Sequence, residues 1–401
     1  MPDGEGSRPF GKASVRDADV EGKRVLLRAD LNVPLSDGEV ADDTRIRASL
    51  PTIELLRERG ARIVLVSHLG RPKGADPSLS MAPVAKRLRE LLGSEVKLAP
   101  AVVGEEVEAM AEALEPGEVL LLENSRFEEG ETKNDPALVE SLAALADVYV
   151  NDAFGTAHRA HATTEGVAHH LPGYAGLLLE QEVTQLTAVR DDPRRPLVVV
   201  LGGAKVTDKL GVIDRFLGFA EEILIGGAMC FSFFAAEGRD TGNSLVEEEG
   251  VEAAKRVLPE SEKSDSILEL PEDLVLGKEL DAGTETRELN GVDVPEGWMG
   301  LDVGSNTTAN FAQRIAGAGT VFWNGPMGAF EVPPFDAGTR ALAEAVAAAP
   351  GHTVVGGGDS VAALHKFDLA DSVDWISTGG GASLELIEGR ELPGVEALQD
   401  A

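Results

Sequence analysis

The chain has a single cysteine in 401 residues, Cys230, so no intrachain disulfide can form and a reducing compartment suits it. Beside GGAM, that thiol reads as a small buried residue rather than a nucleophile. Aromatic residues reach only 4 % against 43 % hydrophobic residues, so any core must be built on Val, Leu and Ala. No apolar run approaches the roughly 18 residues that a bilayer span needs. The N-terminal MPDGEGSRPFGKASVRD lacks the apolar centre of a secretion signal, so a cytoplasmic location is expected. Basic residues are scarce as well: 36 Lys and Arg stand against 69 Asp and Glu, a net charge of −33. The acids are spread along the chain rather than gathered in a tail. Such a field repels nucleic acid and anionic membranes, and neither is expected as a partner. It suits concentrated intracellular salt, where the Debye length falls to about 3 Å and self-repulsion fades.

What is present is alternation. Short β-rich runs are separated by longer helical patterns, the mark of an α/β protein with parallel sheets covered on both faces. RVLLRADLN, ARIVLVSH, EVLLLEN and DVYVND read as buried strands in the first half. PLVVVLGG, EEILIGG, TVFWNG, HTVVGGG and VDWISTGGG do so in the second. Between them Leu179, Val183, Leu186 and Val189 recur at helical spacing, and DDPRRP ends that segment. The expected fold is therefore two doubly wound, Rossmann-like domains joined by a helix, with a cleft between them. Their expected bounds are 1–187 and 188–385, with 386–401 packing back toward the first domain. No short-period repeat or low-complexity tract interrupts this pattern.

Ligands in such sheets bind beyond the carboxyl ends of the strands, and the two halves differ there. The first half places basic side chains: Arg28, Arg45, His68, Arg71, Arg126 and Arg159 are expected in or just after strand ends. Arginine grips carboxylate or phosphate through two parallel hydrogen bonds, so this set suits a small polyanion. Single arginines often pair with surface acids, but four strand ends acting together argue for a site. His68, and the pair His158 and His161, lack a Cys or a third ligand at useful spacing, which argues against zinc. The latter two more plainly orient the loop around Arg159.

The second half places glycines. LGGAKVTDK follows a strand, and a helix beginning near Ala204 would set Lys205 and Lys209 one turn apart on one face. Two cations there oppose the helix dipole and each other by about 1 kcal/mol, a cost that a phosphate chain between them would reverse. GSRPFGKA, residues 6–13, is the nearest approach to a Walker A loop, but it lacks the final hydroxyl and follows no strand. No triple-glycine loop completes G-x-G-x-x-G, so a dinucleotide site is poorly supported. WNGPMGAFE contributes Asn324 and Glu331, an acid placed to accept from ribose hydroxyls or simply exposed. In HTVVGGGDSVAAL, Asp359 and Ser360 read locally as a helix N-cap. An acid beside phosphates makes sense if a divalent cation stands between them, so Asp359 is also a candidate metal ligand.

Taken in order, RADLNVP, SHLGRP, ENSRF, NDAFGTAHRAHATT, GGAKVTDK, WNGPMGAFE, GGGDS and GGGASLELIEG closely resemble the phosphoglycerate kinase family, from about residue 25 to near the end. The resemblance implies reversible phosphoryl transfer from 1,3-bisphosphoglycerate to ADP, giving 3-phosphoglycerate and ATP, with Mg²⁺. It implies glycerate contacts from Asp30, Leu31, Asn32, Arg45, His68, Leu69, Gly70, Arg71, Arg126 and Arg159. Nucleotide contacts would come from Lys205, Lys209, Asn324, Glu331, Gly357, Gly358, Asp359 and Ser360, with Asp359 on the metal. Arg45, Lys205 and the backbone of Gly379 and Gly380 would meet the transferring group. A monomer is the expected state. One departure is visible: DVGSNT carries Ser305 where the family commonly has proline, a change on the nucleotide lobe.

The chemistry agrees with the residue types. The carboxylate of 3-phosphoglycerate is already an anion at neutral pH, so no general base is required. Positioning and charge stabilisation remain, and the two lobes would have to close to exclude water. The alternatives are a non-catalytic nucleotide-binding scaffold on the same fold, a two-lobed dehydrogenase, or a related kinase acting on another acid.

Overall fold

Each strand run expected above forms a strand in the computed structural model, which describes residues 10–401. The reading of the N-terminus as lacking a signal, and the first half of GSRPFGKA, fall on residues 1–9 and lie outside the described residues. Two compact units emerge: one runs up to Thr184 and includes Glu391–Ala401, and the other spans Gln185–Arg390. Among the described residues no helix is long and apolar enough to cross a membrane.

The first unit is built on six parallel strands: β1 (Arg24–Arg28), β2 (Arg62–Val66), β3 (Val96–Leu98), β4 (Val119–Leu121), β5 (Val148–Asn151) and β6 (Gly173–Ala175). Their order is β3-β4-β2-β1-β5-β6, so the direction of winding reverses beside β1. Val25, Leu27, Ile63, Leu65, Val119 and Val148 anchor the core beneath helix α1 (Thr44–Glu58), which contributes Ile46, Ile53 and Leu56. The C-terminal segment belongs here: Gln399 N donates to Gly173 O at 3.0 Å and Asn151 Nδ2 to Gly394 O at 2.9 Å. Helix α2 (Leu177–Asp191) begins in this unit and ends in the second. The four residues that reveal its periodicity, Leu179, Val183, Leu186 and Val189, are all buried. Its first N–H groups are held from unit one: Thr52 Oγ1 accepts from Leu177 N at 3.0 Å, and Asp152 Oδ1 from Leu178 N at 2.9 Å.

The second unit repeats the plan. Strands β7 (Leu197–Leu201), β8 (Glu222–Ile225) and β9 (Ile267–Glu269) are followed by a three-stranded antiparallel sheet that the sequence reading did not anticipate. It comprises β10 (Leu274–Gly277), β11 (Thr286–Leu289) and β12 (Met299–Val303). Strands β13 (Thr320–Asn324), β14 (His352–Gly356) and β15 (Trp375–Ile376) complete a parallel sheet of order β9-β8-β7-β13-β14-β15. Winding reverses between β7 and β13, and Trp323, Val198, Val200, Val321 and Val355 fill the core there. The helices that matter for the site are α3 (Leu210–Phe216), α4 (Glu248–Ser261), α5 (Ser305–Ala316), α6 (Ala337–Ala347), α7 (Gly358–Lys366) and α8 (Gly381–Ile387).

Candidate active site

In the first unit the basic residues gather, but by more than one route. Arg28 ends β1, His68 and Arg71 follow β2, Arg126 follows β4 and Arg159 follows β5. Arg45 does not sit at a strand end; it lies in the first turn of α1, because the chain turns through a short hairpin after β1 and re-enters as a helix. From there Arg45 Nη1 reaches Asp30 Oδ2 at 3.1 Å and Asn32 O at 3.2 Å, returning to the β1 end from the helix side. Asn32 Oδ1 accepts from Gly70 N at 2.8 Å, and Leu31 N donates to Ser67 Oγ at 2.9 Å, which stitches the β1 and β2 loops together. Asn124 brackets the next loop: its Oδ1 accepts from Leu69 N and Arg126 N, both at 3.1 Å. Arg126 Nη1 then donates to Gly70 O at 2.5 Å. His158 Nε2 accepts from Arg159 Nε at 3.1 Å, the loop-orienting role expected of it.

The electrostatics confirm that these cations share one place. Burial, and then Arg28, Arg126, Arg45 and Arg159, hold His68 well below the usual histidine value, so it is neutral. Burial followed by Arg126 and Arg159 pushes His161 down to about 4. Burial, then Arg159 and Arg28, lowers the pKa of Arg126, while Arg71 lies exposed beside this group. Asp30 and Glu131 are the carboxylates bonded into the cluster. Five guanidinium groups therefore converge with two such acids, leaving local positive charge in a strongly acidic protein.

In the second unit, backbone meets backbone. Gly202 follows β7, Gly325 follows β13, and a Cβ on either would collide with the other turn's carbonyl groups. Gly203 N donates to Pro326 O at 2.9 Å and Gly227 N to Met327 O at 3.1 Å, so three strand-end turns pack backbone against backbone, with the Met327 side chain against Gly202 and Gly226. The expected helix at Ala204 starts later: a 3₁₀ turn covers Thr207–Lys209 and α3 begins at Leu210. Lys205 thus precedes the helix and does not share a helical face with Lys209. Their distinct surroundings follow. Lys205 is half exposed and pairs with Glu247 at 3.3 Å, just before α4. Lys209 is partly buried and hydrogen-bonds Asn324 Oδ1; burial pushes its ammonium down to about 8 despite Asp208, Asp359 and Glu388 nearby.

Asn324 itself is buried, and its Nδ2 has no protein partner among the described residues. A buried amide donor left open costs free energy unless a ligand accepts from it. That donor borders a cavity of about 470 Å³ lined by Lys205, Lys209, Asn324, Gly357, Gly358, Asp359, Ser360 and Gly380. Gly357 at φ 88° and Gly380 at φ 54° precede α7 and α8, so two helix N-termini open on it. Gly379 is buried just behind, its N–H on Ser377 Oγ at 3.3 Å. Ser360 is not the helix cap read from the sequence. It is fully buried and its Oγ accepts from Gly325 N at 2.6 Å, because Gly357 takes the cap position and a serine in the third helical position points back at the β13 turn. Asp359 is exposed in the first turn of α7 and lines this cavity and the next. Among the described residues no three His, Cys, Asp or Glu side chains converge. A single carboxylate beside a phosphate site nevertheless fits a hard divalent cation that takes its other oxygens from phosphate and water.

Adjoining lies a cavity of about 590 Å³ whose walls include Gly203, Gly227, Leu245, Leu274, Met299 and Leu301. The sequence reading missed these apolar residues. They come from the unanticipated antiparallel sheet and the segment before α4, and hydrophobic side chains in loops carry no signal distinct from core. Exposed Leu245 and Leu280, rare large apolar groups on a charged surface, are the trace that was available. Glu331 is exposed in the turns between β13 and α6 and lines neither cavity.

Comparison with known proteins bears directly on this arrangement. A family model described as phosphoglycerate kinase matches residues 15–390. The chain is 55 % identical over 390 residues to a phosphoglycerate kinase of Rubrobacter xylanophilus, covering 97 % of this chain and 98 % of the relative. It is 51 % identical to one of Thermosipho africanus, with 96 % and 98 % covered. Among solved structures, phosphoglycerate kinase from Coxiella burnetii superposes with a TM-score of 0.88 at 40 % identity, covering 96 % of this chain and 98 % of that one. The Pyrococcus horikoshii enzyme gives a TM-score of 0.81 at 32 % identity, with the same coverage.

Proposed function

Because the chain belongs to the phosphoglycerate kinase family and catalyses reversible transfer of a phosphoryl group between 1,3-bisphosphoglycerate and ADP, we propose how its residues divide that task. The first unit holds the glycerate. Arg45, Arg71, Arg126 and Arg159 supply charge and paired donors, His68 supplies an uncharged one, and Asp30 and Asn32 fix the loop that aims Arg45. Leu31, Leu69 and Gly70 shape the same loops around the ligand.

The second unit holds the nucleotide. The apolar cavity takes the base, Glu331 serves the ribose, and Lys209, Asn324 and the N–H groups after Gly357 take the phosphates. The open Nδ2 of Asn324, beside Lys209, carries this assignment: a buried donor next to a partly buried cation favours an anion. Asp359 would hold Mg²⁺, which when bound with the nucleotide offsets phosphate charge. Ser360 acts behind the site, holding the β13 turn by its bond to Gly325.

Transfer needs no proton abstraction, since the attacking carboxylate is already ionised. The protein's work is to align that oxygen with the phosphorus and to stabilise charge on the equatorial oxygens of a loose transition state. Lys205, Arg45 and the backbone around Gly379 and Gly380 carry that charge. Glycerate and nucleotide sit on different units, so the units close for transfer and exclude the water that would hydrolyse the acyl phosphate. The protein acts as a cytoplasmic monomer in this reading. A non-catalytic scaffold is not favoured, because the relatives and structural neighbours are phosphoglycerate kinases. A coupled assay with ATP, Mg²⁺ and 3-phosphoglycerate tests the reading, and absence of turnover at every KCl concentration would overturn it.

A further inference from the structure

Within the basic cluster a chain of buried polar side chains runs from Glu131 through Thr163 and Arg28 to His68, and only its last member is assigned to glycerate. Glu131, Thr163, Arg28 and His68 are 1 %, 0 %, 1 % and 4 % exposed. Glu131, Thr163 and His68 come from the loops after β4, β5 and β2, and Arg28 from the end of β1. Burying an acid and a guanidinium is costly, so the bonds that satisfy them must have one arrangement.

The direction of each bond follows from chemistry. Arginine only donates, so Arg28 Nε donates to Thr163 Oγ1 at 2.9 Å. The hydroxyl's own proton is then free for Glu131 Oε1, 2.6 Å away. Glu131 also accepts from Thr163 N at 3.1 Å and from Ser125 Oγ at 3.4 Å. At the other end Arg28 Nη2 lies 3.1 Å from His68 Nδ1. Since Arg28 must be the donor, Nδ1 must present its lone pair and the ring proton must be on Nε2.

We propose that Glu131, Thr163 and Arg28 form a positioning relay that fixes His68 as a neutral imidazole with Nε2–H as its only donor. The proposal rests on the reading that His68 meets the glycerate. Among so many guanidinium groups a charged histidine would add repulsion without adding direction. A neutral N–H adds direction alone, and it donates where an untethered ring could present either nitrogen. Because the relay ties together the loops that carry Asp30, Arg71, Arg126 and Arg159, its loss acts on glycerate binding and leaves the nucleotide unit untouched.

Two measurements test this. In the ¹⁵N spectrum of the histidine-labelled full-length protein without ligand, His68, assigned by its absence in His68→Ala, is expected to show an unprotonated Nδ1 and a protonated Nε2 at neutral pH. A protonated Nδ1 overturns the relay. In kinetics, Thr163→Val removes the hydroxyl while keeping the shape. It is expected to raise KM for 3-phosphoglycerate about tenfold, the scale of one lost buried hydrogen bond, with KM for ATP unchanged. Thr163→Ser, which restores the hydroxyl, should return the glycerate KM to within about twofold of wild type. Equal shifts in both KM values, or no rescue by serine, would mean a merely structural role and overturn the proposal. If His68→Ala leaves the glycerate KM unchanged, the assignment of His68 to glycerate fails. If it raises that KM and Thr163→Val does not, the relay fails while the assignment stands.

Discussion

Lys205 and Lys209 illustrate how four residues of separation become two different jobs. Lys205 is itself half exposed and pairs with Glu247, an ion pair worth about 0–1 kcal/mol, so it is readily released to a transferring phosphoryl group. Lys205→Ala is therefore expected to leave thermal unfolding nearly unchanged while lowering kcat by about a hundredfold or more. Wild-type kcat in that variant would remove Lys205 from the transition state. Lys209 is the opposite case. Its ammonium, pushed down to about 8 by burial, is unfavourable until phosphate arrives. The unfolded lysine keeps its proton up to 10.5, so between those values the unfolded state binds more protons and this group makes stability rise with pH. Nucleotide phosphates favour the charged form and work the other way on binding. ADP affinity should fall as pH rises through about 8, with proton uptake on binding that is larger at pH 8.5 than at pH 7. Calorimetric titrations in two buffers of different ionisation enthalpy measure that uptake; equal values at both pH values would count against Lys209 as a phosphate contact.

At the level of elements, caps that arrive from elsewhere in the chain decide several ends. Helix α5 has Gly304 as its N-cap, which offers no side-chain acceptor. Asp273 supplies it instead: Oδ2 accepts from Asn306 N at 2.9 Å and Oδ1 from Thr307 N at 2.8 Å. Ser305, the departure from the family's proline, is the exposed first residue of this helix and lines neither cavity. That position suits proline, and Gly304 at φ −84° and ψ 179° is already extended as a residue before proline must be. Ser305→Pro should therefore stabilise the protein by about 0.5–1 kcal/mol, seen as a Tm higher by about 1–3 °C. A lower Tm would show that the Ser305 N–H has a role the proline cannot fill. The same elements show what was legible. Strands β1, β2, β4, β5, β7, β8, β13, β14 and β15 could be read from β-branched runs ending in glycine or a polar turn. Strands β3, β6 and β9 could not: VKL, GYA and ILE are three residues each, and none lies in a longer run such as the EVLLLEN and VDWISTGGG that reveal β4 and β15. The sheet β10–β12 escaped because its edge strand β11 is largely exposed and the connections on either side of β11 are long.

For the whole molecule, charge is the governing quantity. At −33 the chain repels itself over about 30 Å in 0.01 M salt but over only about 3 Å in 1 M. Tm and turnover should both rise from dilute buffer toward molar KCl, and equal stability and activity across the series would sink that expectation. The composition, the strand and helix rhythm, and the chemical character of each half could all be read without a structure. Those features are local: a run of valines, a glycine where backbone must approach, an arginine at a strand end. Tertiary structure alone decided which groups meet. It put Arg45 back against Asp30 from a helix, separated Lys205 from Lys209, and turned Ser360 away from the helix end toward Gly325. It also brought Glu131 through Thr163 to Arg28 and His68, residues up to 135 positions apart in the chain. Spacing along a sequence sets what a segment can become, whereas hydrogen bonds between distant loops depend on the sheet order that brings their strand ends together.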